Sequence, residues 1–248
     1  MQPDPLAPLM QLPGVVAASD QARDALGRAH RHRANLRGWP VTAAEAALRA
    51  ARASSVLDGG PIRLDDAATT DPVFAGALRV AQALEGGEGN LLGVWRRAPL
   101  QALARLHTLA AAGQVGDDRL GRPRVDPQVG PRLELLAELV TGGTAAPAPV
   151  VSAVAHGELL ALAPFGSADG VVARAVGRLV TIASGLDPHG LGVPEVYWMR
   201  RAAAYRNTAQ GFAAGTPDGV RAWLTMCCRA MNTGAQEALS IADTMSNH

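Results

Sequence analysis

Large side chains are scarce in this chain, and that scarcity limits what it can fold into. Only 4% of its 248 residues are aromatic although 48% are hydrophobic, so a core must be assembled mainly from Ala, Leu and Val. Ala and Leu are strong helix formers, whereas strand-rich proteins draw on aromatic and β-branched residues. An all-α protein is expected. The length suffices for one sizeable domain and does not require two.

Charge and cysteine usage exclude several classes. A net charge of +1 gives no general electrostatic case for nucleic acid or a membrane surface as partner. Cys227 and Cys228 are adjacent and cannot bridge each other, and no His/Cys cluster has zinc-ligand spacing. No metal site is assigned, and buried thiols in a reducing compartment are expected. The opening MQPDPLAPLMQLPGVV is acidic and Pro-broken where a secretory signal is basic and then continuously apolar. No window approaches about eighteen uninterrupted apolar residues. The expectation is a cytoplasmic chain with no membrane span.

Along the chain, residues 1–14 read as an extended Pro-rich arm over the domain surface. A first helix is expected from about Ser19, whose side chain caps SDQARDALGRAHRHRANLRG, with His30 and His32 on a solvated basic face. Trp39-Pro40 reads as a break, Thr42 and Glu45 as a capping box, and AAEAALRAARASSVL as a helix that stops at Gly59-Gly60. This divides the chain into an arm and helix (1–41), a helical segment (42–60) and a helical core (61–248), together one compact domain. Asp71-Pro72 reads as an N-cap followed by a first-turn proline, and the helix after it is expected to bury Phe74, Leu78, Ala81 and Leu84 at helical spacing. EGGEGN (85–90) is a polar loop. LLGVWRRAPLQALARLHTLAAAG is a further helix in which His107 is structural. GQVGDDRLGRPRVD (113–126) carries the Gly, Asp and Pro signals of a short hairpin. Tyr197, Trp198, Tyr205, Phe212 and Trp223 read as core anchors rather than as a platform for stacking a base.

One stretch carries chemistry. ALAPFGSADGVVAR (161–174) sets a Pro-Phe pair before a loop of small residues that opens into a helix ending at Gly185. Gly166, Ser167, Ala168, Asp169 and Gly170 allow close approach of the backbone to a ligand. A helix N-terminus also offers unpaired N–H groups and positive potential, both favouring an anion. Arg174 and Arg178, one turn apart, would add charge on one face. A plainer account competes, in which Ser167 or Asp169 is simply the N-cap of that helix.

The stretch resembles the signature of the Fic (Fido) family, H-P-F-x-D/E-G-N-G-R-x-x-R. Pro164 and Phe165 stand as its Pro-Phe pair, Gly170 as its second glycine and Arg174 as its last arginine. The histidine position holds Ala163, the acidic metal-ligand position Ser167, the first glycine Ala168, the asparagine Asp169 and the first arginine Val171. HGELLALAPF from His156 is similar to the family's lead-in. SSVLDGG resembles the family's inhibitory motif S/T-x-x-x-E-G/N, with Ser54 first, Asp58 in place of Glu, and Gly59 after it. In the family that acid pairs with the last arginine of the signature, so the resemblance implies an ion pair between Asp58 and Arg174. As a lone motif, Ser54, Ser55 and Asp58 would only polarise a helix end.

The resemblance covers about residues 42–243 and implies a Fic-like helical bundle with a β-hairpin flap at 113–126. Arg119, Arg122 and Arg124 would flank the site there, and a protein target or regulatory partner would lie against the flap by β-augmentation. A solvated basic loop accounts for the same arginines equally well. ATP and magnesium are the implied ligands, and a homodimer the implied assembly. Fic enzymes typically transfer AMP from ATP to a protein hydroxyl, using the histidine as base and the acid to hold magnesium. Ala163 accepts no proton, and loss of a general base costs ~10²–10⁴-fold. Ser167 is a weaker magnesium ligand than a carboxylate. No catalytic residue is assigned, with Asp169 the one candidate. The expected function is a Fic-fold pseudoenzyme, a nucleotide- or protein-binding regulator without adenylyl transfer, its pocket held shut by Asp58. The alternatives are an enzyme with altered phosphate-transfer chemistry at Asp169, and an all-α interaction module whose resemblance is fold-deep only.

Overall fold

The computed structural model describes residues 3–62, 70–85 and 90–246. Among the described residues it is all-helical, with 3-10 turns at Ala7–Gln11 and Asp117–Arg119 and no strand. Helix α1 (Val15–His30) follows an arm that is tied down at Asp4. The Asp4 carboxylate accepts from Leu6 N–H at 2.9 Å, Thr144 Oγ1 at 2.7 Å and Ala145 N–H at 2.7 Å. The arm is thus packed on the domain surface.

The first helical break falls eight residues earlier than the sequence suggests. Helix α2 (Arg33–Leu57) runs unbroken through Pro40, and the chain turns instead at Arg31-His32, where His32 Nδ1 accepts from Ala34 N–H at 3.4 Å. Pro40 removes one helical donor and frees the Leu36 carbonyl. Leu36 is 66% exposed and Pro40 is exposed too, so the missing helical bond falls on the surface side of α2 and the helix continues. Thr42 is therefore no cap. Its hydroxyl donates to Asn35 Oδ1 at 2.7 Å, and Asn35 Nδ2 donates to Ala29 O at 2.8 Å, which joins the end of α1 to α2.

Helix α3 (Pro72–Leu84) begins as expected, with Asp71 accepting from Phe74 N–H at 2.8 Å and Pro72 in the first turn. The single helix expected around Trp95 and His107 is two, α4 (Leu91–Arg97) and α5 (Pro99–Ala111). Pro99 excludes Ala98 from helical conformation, and Ala98 sits at φ −147°. Residues 86–89 of the expected EGGEGN loop lie outside the described residues. Helices α6 (Val129–Val140), α7 (Ala148–Leu162), α8 (Asp169–Ala183), α9 (Pro194–Arg200), α10 (Ala202–Ala213) and α11 (Pro217–Ser246) complete the chain.

The hairpin expected at 113–126 does not form. That segment holds one isolated bridge, Ala112 to Val115, then the 3-10 turn and a run through Pro123. Few of its side chains are apolar, so a two-stranded ribbon has no face to bury, and its glycines and Pro123 interrupt any ladder.

Helix α8 is the hub, buried from Val171 through Gly177 and packed on α2, α3, α4, α5 and α7. The longest helix, α11, gathers α1, α2, α7, α9 and α10. Trp198, Tyr205 and Trp223 close around the buried His156, and Trp223 Nε1 donates to Ala153 O at 2.8 Å. These aromatics are core anchors. Among the described residues, no helix is long and apolar enough to cross a membrane.

Candidate functional site

The loop between α7 and α8 is held in an unusual backbone path. Ala163 (φ 43°) and Ala168 (φ 50°) both adopt the left-handed region, which disfavours a residue with a Cβ by about 1–2 kcal/mol. The surroundings enforce the path. Pro164 and Phe165 are buried, and Asp169 Oδ1 accepts from Phe165 N–H at 3.0 Å, with Gly166 N–H adding to the same carboxylate. Burial raises the Asp169 pKa against these bonds, and the nearby Asp58 carboxylate adds to the rise. The residue capping α8 is Ala168, whose side chain has no polar atom. Neither Ser167 nor Asp169 is thus the ordinary N-cap of the plainer account. Asp169 instead staples the loop from inside the first turn.

The end of α2 closes over the start of α8. Arg174 is 2% exposed and meets Asp58 Oδ1 through Nη2 at 2.8 Å. Its Nε donates to Ser54 Oγ at 2.8 Å, Nη2 also to Ser54 O at 2.9 Å, and Nη1 to Tyr205 Oη at 3.4 Å. The ion pair expected from the resemblance is formed, although Asp carries one methylene fewer than Glu. Gly59 (φ 93°) turns the chain away directly after it. Gly170 makes the reach possible, since a methyl group there would lie 2.4 Å from Asp58 Oδ1. Burial disfavours the Arg174 charge, but Asp58 and Tyr205 outweigh it and hold the pKa above its ordinary range.

A cavity of ≈300 Å³ opens over this loop, lined by Asp58, Val73, Gln114, Ser167, Asp169 and Gly170 among others. Asp58 and Asp169 line it, and among the described residues no cationic side chain does. A triphosphate does not fit the site as it stands, because Asp58 lies against the first turn of α8, where an anion would go, and Arg174 is fully engaged. Among the described residues, no group of three or more His, Cys, Asp and Glu side chains comes together to hold a metal ion.

The other expected site residues disperse. Arg178 faces away from the loop, donating to Gly192 O at 2.7 Å and Gly190 O at 2.8 Å. Arg119 and Arg122 are exposed on the 113–126 segment. Arg124 alone reaches the loop, where Nε donates to Ala163 O at 3.1 Å and Nη2 to Leu162 O at 3.0 Å. A cation at the carboxyl end of α7 also meets the helix dipole favourably. His156 points into the aromatic core. Tyr205 Oη, accepting from Arg174, also lies 2.7 Å from His156 Nε2 in a hydrogen bond, and burial together with Arg174 drives the His156 pKa well down. His156 is held neutral inside the aromatic core, away from the loop.

His107, read from sequence as structural only, lies directly on the loop. Its ring stacks on Phe165 with centroids 4.0 Å apart, and Nε2 is 3.1 Å from Ser167 Oγ. The apolar spacing of Leu103, Leu106 and Ala110 places it on the buried face of α5, but nothing local points to a partner 60 residues away. No protein-family model matches the chain, and no curated protein matches its sequence.

Proposed function

We propose that the chain is a Fic-like pseudoenzyme, a regulatory protein whose anion cradle at 163–170 is held shut by the end of α2. The observation that carries this reading is Asp58 seated between Arg174 and Gly170, joining two segments that the family's motifs pair in the same way. Nucleotide, in this reading, enters only when Asp58 leaves. Adenylyl transfer is absent because Ala163 offers no base, Val171 no charge, and Ser167 Oγ is engaged with His107. Asp169, the candidate for altered chemistry, serves the loop's shape through its bonds to Phe165 and Gly166 N–H. The partner is a protein that meets the 113–126 segment, where Arg119, Arg122 and Val125 are exposed. Burial raises the thiol pKa of Cys227, and that of Cys228 to about 12, which suits a chain that keeps reduced cysteines in the cytoplasm.

Incubation of the full chain with a lysate and ATP labelled on the α-phosphate tests the absence of transfer. No protein should acquire label with the wild type or with Asp58→Gly. Label that appears with Asp58→Gly and disappears in Asp58→Gly/Asp169→Ala would replace this reading with the altered enzyme.

A further inference from the structure

We infer that His107 is a positioning residue for the cradle loop and couples that loop to the 117–124 segment. It is 1% exposed and is held on three sides by two stretches far apart in sequence. Gly121 N–H donates to its Nδ1 at 2.9 Å. An accepting Nδ1 carries no proton, so in neutral His107 the proton is on Nε2, which then donates to Ser167 Oγ. The ring plane lies within 4° of the Phe165 ring. Both polar edges and one face of the imidazole are therefore assigned, and turning the ring breaks all three contacts together.

The segment that holds His107 also holds the loop directly. Arg124 N–H donates to Pro164 O at 2.8 Å, while its guanidinium caps the last carbonyls of α7 and pairs with Asp126. Gly121 brings this segment in. At φ 69° it lies so close to α5 that a Cβ would stand 2.8 Å from Thr108 Oγ1 and 3.0 Å from Ala104 O. The result is a strap across the Pro-Phe pair, pinned at Arg124 and at His107. A partner that displaces the strap removes the Arg124 bond to Pro164 O and the Gly121 N–H that fixes the His107 proton on Nε2 toward Ser167, so docking at 117–124 is read out in the cradle. Only the nature of what the cradle binds depends on the proposed function, and the coupling is testable without any nucleotide.

The experiment is NMR on the full chain. Long-range imidazole correlations of the wild type should show His107 neutral with the proton on Nε2. A proton on Nδ1 would overturn the assignment. Amide exchange is then compared in Ser167→Ala and His107→Phe, each checked for an intact fold by its amide spectrum. Phe keeps the ring contact with Phe165 and loses both hydrogen bonds. If His107 couples the two stretches, Ser167→Ala raises exchange at Gly121 by about fivefold to tenfold, and His107→Phe raises it at Gly121, Phe165 and Gly166 together. If His107 only fills space, Gly121 exchange is unchanged in Ser167→Ala and the loop amides are unchanged in His107→Phe. Either result would refute the coupling.

Discussion

Removing the Asp58 carboxylate strands a guanidinium in the core. Arg174 is 2% exposed and the Asp58 side chain 22%, so the pair lies between two regimes. Breaking a fully buried pair by deleting one member costs about 3–5 kcal/mol, whereas exposed pairs are worth about 0–1 kcal/mol. Solvent reaches Asp58, and Arg174 keeps Ser54 Oγ, Ser54 O and Tyr205 Oη as acceptors. Those acceptors hydrogen-bond the charge without neutralising it. We expect a coupling of about 2 kcal/mol, roughly 4–8 °C in melting temperature for a domain of this size. The assay is a double-mutant cycle of Asp58→Ala and Arg174→Met by urea denaturation, restricted to variants whose m value is unchanged. Asp58→Ala should cost more than Arg174→Met, because the carboxylate left behind in the second can hydrate. The double variant should recover part of the loss. Additivity of the two single effects within about 0.5 kcal/mol would show that the pair is geometric only and would refute the reasoning.

Further expectations follow from neighbouring contacts. Gly170→Ala should displace the Asp58 side chain and destabilise the fold by about 1–3 kcal/mol, and a variant as stable as the wild type would mean that Asp58 does not rest there. His156 should remain neutral in an NMR titration at pH values where free imidazole is mostly charged, since burial and then Arg174 oppose its protonation. The unfolded chain therefore binds this proton more readily than the folded one. Stability is full above an ordinary imidazole pKa of about 6.5 and declines as pH falls below it, toward the lower folded value. A His156 midpoint at or above the free value would contradict the Tyr205 arrangement.

Composition made the helical class legible, and Asp71-Pro72 announced its own helix start because capping is a local interaction. At two places tertiary exposure overrules a local rule. Pro40 did not break α2, since it lies with Leu36 on the exposed side of that helix, and the turn signals of 113–126 did not make a hairpin without an apolar face to bury. Two arginines one turn apart on α8 looked like one charged face, yet Arg174 turns toward α2 and Arg178 toward the carbonyls of 190–192. Asp58 and Arg174 were brought together only by resemblance to a motif pair. No periodicity within α2 or α8 specifies a contact across more than a hundred residues. His107 was invisible as a site residue for the same reason, because its hydrogen bonds and stacking partner come from other segments of the chain.

Closure of the cradle by Asp58 is the centre of this account, and calorimetric titration of ATP with magnesium tests it most directly. The account predicts no measurable heat of binding to the wild type and a saturable isotherm with Asp58→Gly, whose helical content matches the wild type. Equal binding to both proteins would show that Asp58 does not guard the site, and no binding to either folded protein would show that the loop is not a phosphate cradle.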